Sequence, residues 1–113
     1  MLNENAKTWV AALRSGEFEQ AKGALKDATG YCCLGVACEL YRRETGCGEW
    51  SNENWFLEKK GHLHFKVRKW LGLRTEFGDF GQRALTVLND DGATFSEIAD
   101  IIESDPDGLF IKQ

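Results

Sequence analysis

Apolar residues fall at helical spacing along most of this chain, and the breaks between the periodic stretches coincide with glycine and turn residues. Asn3 or Asn5 caps a first helix running through Arg14, with Trp9, Val10 and Leu13 on its inner face and Gly16 closing it. Phe18 to Leu25 reads as extended, with Lys22-Gly23-Ala24-Leu25 as its best short strand. Asp27 to Gly30 is turn chemistry, and Tyr31-Cys32 returns as the second arm of a small hairpin. The most apolar run follows. Cys33, Val36, Ala37, Leu40 and Tyr41 share a face from Cys33 to Thr45, with Leu34 and Cys38 beside them, so this helix is buried on most sides and organises the rest.

Beyond Gly46 the periodicity lapses. Residues 46–64 form a long loop in which Trp50, Trp55 and Phe56 must fold back on the core or meet a partner. Phe65 to Leu71 is a short helix closed by Gly72, and Leu73 to Gln82 reads as a turn around Gly78 and Gly81. Ala84 to Asn89 gives one or two helical turns. Thr94-x-x-Glu97 is a capping box that opens a last helix to Glu103. Leu109-Phe110-Ile111, after the turn at Asp105 to Gly108, is an apolar patch that docks on the domain or on a second copy. The expected fold is α+β: a mainly helical single domain over residues 1–113 with a short β-hairpin before the central helix.

At 113 residues with 42% hydrophobic content, the chain is long enough to build a core without disulfide staples. No apolar run approaches a membrane span, and MLNENAKTW lacks the basic and apolar regions of a signal peptide. The expected location is therefore the cytoplasm, with reduced thiols. Charge is uneven. Residues 58–83 hold seven lysines and arginines against three acids, while residues 84–113 hold one lysine against seven acids. Either the two segments pack together and neutralise each other, or the first offers a basic face to an anion beside a tail that repels long nucleic acid.

Few residues assemble into recognisable chemistry. Cys32, Cys33, Cys38 and Cys47 lack the paired spacing of a zinc site, and three of them lie in the apolar helix, where cysteine behaves as a small hydrophobe. His62 and His64 have no acidic or cysteine partner at a convincing spacing and read as solvent-exposed. Asn89-Asp90-Asp91-Gly92 lacks the alternating oxygen ligands of a calcium loop and reads as helix capping. No phosphate-binding glycine loop, nucleophile elbow or H-E-x-x-H is present. No catalytic residue, metal ligand or cofactor site is assigned, and an enzyme is the minority reading.

A basic and aromatic constellation remains. Planar rings stack on bases and guanidinium forks grip phosphates, which is what a nucleotide requires. The candidate ligand-binding residues are Trp50, Trp55, Lys66, Arg68, Arg74 and Arg83, with Asn89 and Asp90 for ribose hydroxyls.

The blocks GYCCLGVACELY (30–41), VRKWLGL (67–73) and ALTVLNDDGATFSEIADIIE (84–103), in this order, resemble a family of small proteins encoded in phages and prophages. Residues 46–64 depart from that pattern, which tends to carry proline before the V-x-x-W-L-G-L block. The resemblance implies a phage protein acting inside a bacterial host, and small phage accessory proteins of this size are often counter-defence factors. One group sequesters cyclic or ADP-ribose-derived immune signals and another binds a defence protein directly. The leading expectation is a non-enzymatic, cytoplasmic protein that sequesters a nucleotide-derived signal, with a homo-oligomer supplying enclosure. The second is a protein-binding inhibitor of a bacterial defence complex with Trp50, Trp55 and Phe56 as its hot spot. A nucleic-acid binder and a small hydrolase rank below both.

Overall fold

The computed structural model describes residues 2–111. Among the described residues there are five helices and one short antiparallel ladder: α1 (Glu4–Arg14), α2 (Cys33–Thr45), α3 (Phe65–Leu71), β1 (Asp79–Phe80), β2 (Arg83–Ala84), α4 (Leu85–Asp90) and α5 (Phe95–Glu103). The class is α+β and mainly helical, as the apolar spacing predicts.

Asn3 caps α1 by accepting from the Ala6 N–H at 2.8 Å. Ala6, Trp9, Val10 and Leu13 are the buried side of α1, which packs mainly on α5. Trp9 is fully buried, and its indole N–H donates to the Cys33 carbonyl at 2.9 Å, so the polar end of the largest core side chain is satisfied. On the outer side Arg14 forks to Asp100 and Glu103 of α5 at 2.7 and 2.9 Å.

Every residue of α2 from Cys33 to Tyr41 is buried. Gly35 makes this possible: a Cβ there would overlap the carbonyl of Leu25, so only glycine lets the two backbones approach. Gly46 ends the helix in the left-handed conformation at φ +72°, as its position predicts. The capping box at Thr94 forms with both of its hydrogen bonds, and Phe95, Ile98, Ala99 and Ile102 are the buried face of α5. Leu109 and Phe110 dock as expected. Leu73 bridges Phe110, and Ile111 donates to the Gly72 carbonyl at 2.8 Å.

Pairing is placed differently from the expected hairpin. Before α2 it amounts to isolated bridges, antiparallel Lys26 to Tyr31 and parallel Gln20 to Tyr31. The expected turn is present, with the Asp27 carboxylate accepting from Thr29 and Gly30. Gly23, at φ +86°, breaks the first arm before a ladder can extend. The two-residue ladder instead lies within the stretch read as a plain turn, pairing Asp79 with Ala84 and Phe80 with Arg83. Among the described residues no helix is long and apolar enough to cross a membrane.

Candidate functional site

Two aromatic residues fasten the loop that follows α2 to the domain. Phe56 is fully buried and exchanges main-chain hydrogen bonds with Lys59 at 2.8 and 2.9 Å. Gly48, at φ +84°, clears its ring. Trp50 bridges Phe56 in antiparallel fashion and packs on it at 4.9 Å and on Tyr31 at 5.8 Å, with the Lys26 ammonium 5.2 Å from its ring. The Trp50 indole N–H donates at 3.0 Å to Glu39.

Glu39 is a buried carboxylate on α2. Its oxygens also accept from Arg42 at 3.0 and 2.7 Å and from Arg43 at 2.9 Å. Burial alone pushes its pKa up, but the hydrogen bonds from Arg42, Trp50 and Arg43 outweigh that and bring it down to about 2. Trp50 is thus held by a group that is ionised at neutral pH, itself fixed by two arginines.

Between the anchors the chain turns outward. The Ser51 hydroxyl accepts from the N–H groups of Glu53 and Trp55 at 3.2 and 3.0 Å. Asn54, Leu57 and Glu58 all take positive φ, at 64°, 49° and 70°. Such conformations are uncommon for residues with a Cβ, and three within five residues mark a loop held in shape by its surroundings. The result is an open hollow of about 560 Å³ lined by Glu49, Trp50, Ser51, Glu53, Trp55, Leu57 and Glu58. Trp55 remains 39% exposed, and its indole N–H has no acceptor among the described residues. Glu49, Glu53 and Glu58 are exposed and form no ion pair among the described residues.

The two tryptophans of the expected constellation do share this hollow, but none of the expected cations lines it. Lys66 is exposed on α3. Arg68 donates to the Leu73 carbonyl at 3.2 Å, closing the end of α3. Arg74 donates to the Gly108 carbonyl at 2.6 Å and holds the terminal segment. The Arg83 guanidinium lies 5.7 Å from the Phe80 ring across the β1–β2 ladder. An anion at Trp50 and Trp55 would meet three carboxylates.

The polar pair expected for ribose also needs correcting. Asn89 is fully buried and occupied within the fold. Its oxygen accepts from the Cys33 N–H at 3.1 Å and from Gln20 at 2.9 Å, and its amide donates to the Ala21 carbonyl at 2.8 Å. Asp90 is exposed but accepts from the Gly23 N–H at 2.9 Å, beside a cleft of only about 30 Å³.

A second hollow, about 260 Å³, is lined by Lys59, His62, Leu63, His64, Phe65 and Glu76. Its rings are paired at the surface, His64 with Phe65 at 4.6 Å and His62 with Phe77 at 5.2 Å. The histidines are therefore half-buried, while Phe65, 52% exposed, points away from the core that Val67 and Leu71 enter. His64 also caps α3, its Nδ1 accepting from the Lys66 N–H at 3.1 Å.

The thiols of Cys32, Cys33 and Cys38 are buried, as expected of small hydrophobes. Burial raises Cys32 to about 11 and the other two well above the usual range, so all three stay protonated and unreactive.

Glu49, Glu53 and Glu58 alternate with Trp50 and Trp55 in plain sequence, an acidic pattern that the basic and aromatic constellation leaves out. No curated protein and no solved structure matches the chain. The model of one family, described as a domain of unknown function (DUF8296), matches residues 1–106, and the chain belongs to that family.

Proposed function

We propose that this protein works by stoichiometric binding rather than catalysis, as a phage or prophage counter-defence factor that captures a bacterial defence protein in the host cytoplasm. One observation carries the choice of a protein as target: an exposed tryptophan, Trp55, stands beside the anchored Trp50 in a hollow of about 560 Å³. Rigid aromatic side chains in a concave, pre-shaped surface are what protein interfaces use as hot spots. The carboxylate rim weighs against phosphate binding at the same place. The phage setting rests on the three sequence blocks.

The test is capture from host lysate with the intact protein and with Trp55→Ala. A stoichiometric partner should be recovered by the first and lost by the second. Equal recovery, or none by either, removes this reading.

A second reading is favoured by the other hollow. Lys59, His62, His64 and Phe65 bring cationic and planar groups together beside one carboxylate, Glu76, against three at the first hollow, and Lys66 follows on α3. A nucleotide-derived signal would stack on Phe65 and place its phosphates among these side chains. Its volume of about 260 Å³ falls short of enclosing a nucleotide, so this reading requires a second copy to complete the site. Thermal shift with cyclic dinucleotides and ADP-ribose isomers, repeated on Phe65→Ala, decides it.

A further inference from the structure

We infer that the hollow between Glu49 and Glu58 receives an arginine side chain presented by the partner protein; this rests on the protein-binding reading above and names the chemistry of its target. Charge selects the sign of the occupant. Glu49, Glu53 and Glu58 surround the hollow without a cation of their own among the described residues. All three carry the same sign, so a cation entering the hollow meets an attractive field.

Shape and ring chemistry then narrow the cation. Trp55, the exposed one of the two lining rings, offers an indole, and indole attracts cations through the ring quadrupole more strongly than the other aromatic rings. The molecule already uses this contact at Trp50, where the Lys26 ammonium lies 5.2 Å from the ring. A guanidinium is planar, stacks on indole and donates to two carboxylate oxygens at once. An ammonium presents neither the plane nor the fork. Trp55 has the exposure needed to act as the stacking wall, and Leu57 supplies an apolar surface for the methylene stem.

The rigidity of the site favours the same conclusion. Trp50 is locked to Glu39, Phe56 is sunk in the core, and the intervening turn is fixed by Ser51. A single side chain therefore meets walls already in place and orders little of the loop on binding.

The experiment uses the whole chain labelled with ¹⁵N, whose four tryptophans give four indole signals. A short uncharged-flank peptide containing two arginines is titrated in, alongside versions carrying lysine or citrulline, the neutral isostere of arginine. The arginine peptide should shift the Trp55 indole signal saturably while the buried Trp9 signal stays fixed. Lysine should bind about threefold more weakly, citrulline at least about fivefold more weakly. Raising salt from 0.05 to 0.5 M should weaken the arginine peptide by about tenfold. Glu53→Gln should weaken it by about threefold, with the Trp9 and Trp70 signals unmoved to show that the fold is intact. Equal binding of arginine and citrulline overturns the inference, as does the absence of a saturable Trp55 shift. A Trp55 shift that depends on protein concentration without peptide also overturns it, because the occupant is then a second copy. The protein-binding reading falls by a different result, namely lysate capture indifferent to Trp55→Ala.

Discussion

The side-chain oxygen of Asn89 accepts the main-chain N–H of Cys33 across 56 residues of sequence, at 3.1 Å and out of contact with water. That N–H belongs to the first turn of α2, which has no side-chain cap of its own. Asn89 thus supplies from α4 what a capping residue would have supplied locally. It also ties down Gln20 and the Ala21 carbonyl. Asn89→Ala removes the partner of the buried Cys33 N–H and of the Ala21 carbonyl, while Gln20 keeps its bonds to Ala93 and Phe95, and stability should fall by about 3 kcal/mol. The melting temperature should drop by roughly 10 °C or more. Calorimetry measures it. A drop of a degree or two would show that the buried bonds are replaceable.

Gly35→Ala tests the crossing of α2 over Leu25. The added methyl overlaps a main-chain carbonyl, which cannot rotate away as a side chain can. The expected loss is about 3 kcal/mol, read from the urea midpoint. The same change at Gly61, whose Cβ position meets nothing within 4 Å, should cost far less.

Glu39 gives an acid-side prediction. Its folded pKa lies near 2, below the ordinary 4.5, so the folded state binds its proton less readily than the unfolded chain. The stability it contributes is fully present above pH 4.5 and is lost as pH falls through 2. Urea midpoints between pH 5 and 2.5 should fall more steeply for the native protein than for Glu39→Gln. Trp50 fluorescence should report the loosening, since its indole hydrogen bond ends on the same carboxylate. Parallel curves would remove Glu39 from the account.

His64 predicts a second dependence nearer neutrality. Its pKa is lowered, first by burial and then by Lys66 and Lys59. Capping requires a neutral Nδ1, because a protonated ring has no acceptor for the Lys66 N–H. The cap is therefore complete above pH 6.5 and is lost as pH falls through the lower folded value. Hydrogen exchange at the Lys66 amide should accelerate there relative to amides of α5. Asn in place of His64 should keep the cap and abolish the pH dependence.

Trp55→Ala should leave thermal stability within about 0.5 kcal/mol of the native protein, because the indole is exposed and bonded to nothing among the described residues. A larger loss would make Trp55 a packing residue and remove the reason for assigning it to recognition.

Helices were legible wherever local rules act alone. Asn3, Gly46, Gly72 and Thr94 each mark a boundary that the structure keeps, and the apolar stripe of α2 foretells its burial. The hairpin before α2 survives only as bridges, because pairing depends on what the second strand meets in space. The site was half legible. Trp50 and Trp55 do come together, but Arg68, Arg74 and Arg83 go to carbonyls and a ring elsewhere. Charge counted along the chain cannot show which side chains already have partners. Asn89 reads as a polar residue near a helix end, and only folding reveals its burial.

The loop from 49 to 58 reaches the interior through Phe56 and, by way of Glu39, through Trp50, whereas Glu49, Ser51, Asn52, Glu53, Trp55 and Glu58 all face outward. Substitutions at Glu49, Asn52, Glu53 and Trp55 change the surface of the proposed site and leave the core alone, whereas Ser51 is kept by the turn it holds. With Phe56, Trp50 and Glu39 preserved, the same small body would serve as a chassis on which the proposed recognition surface varies a few codons at a time.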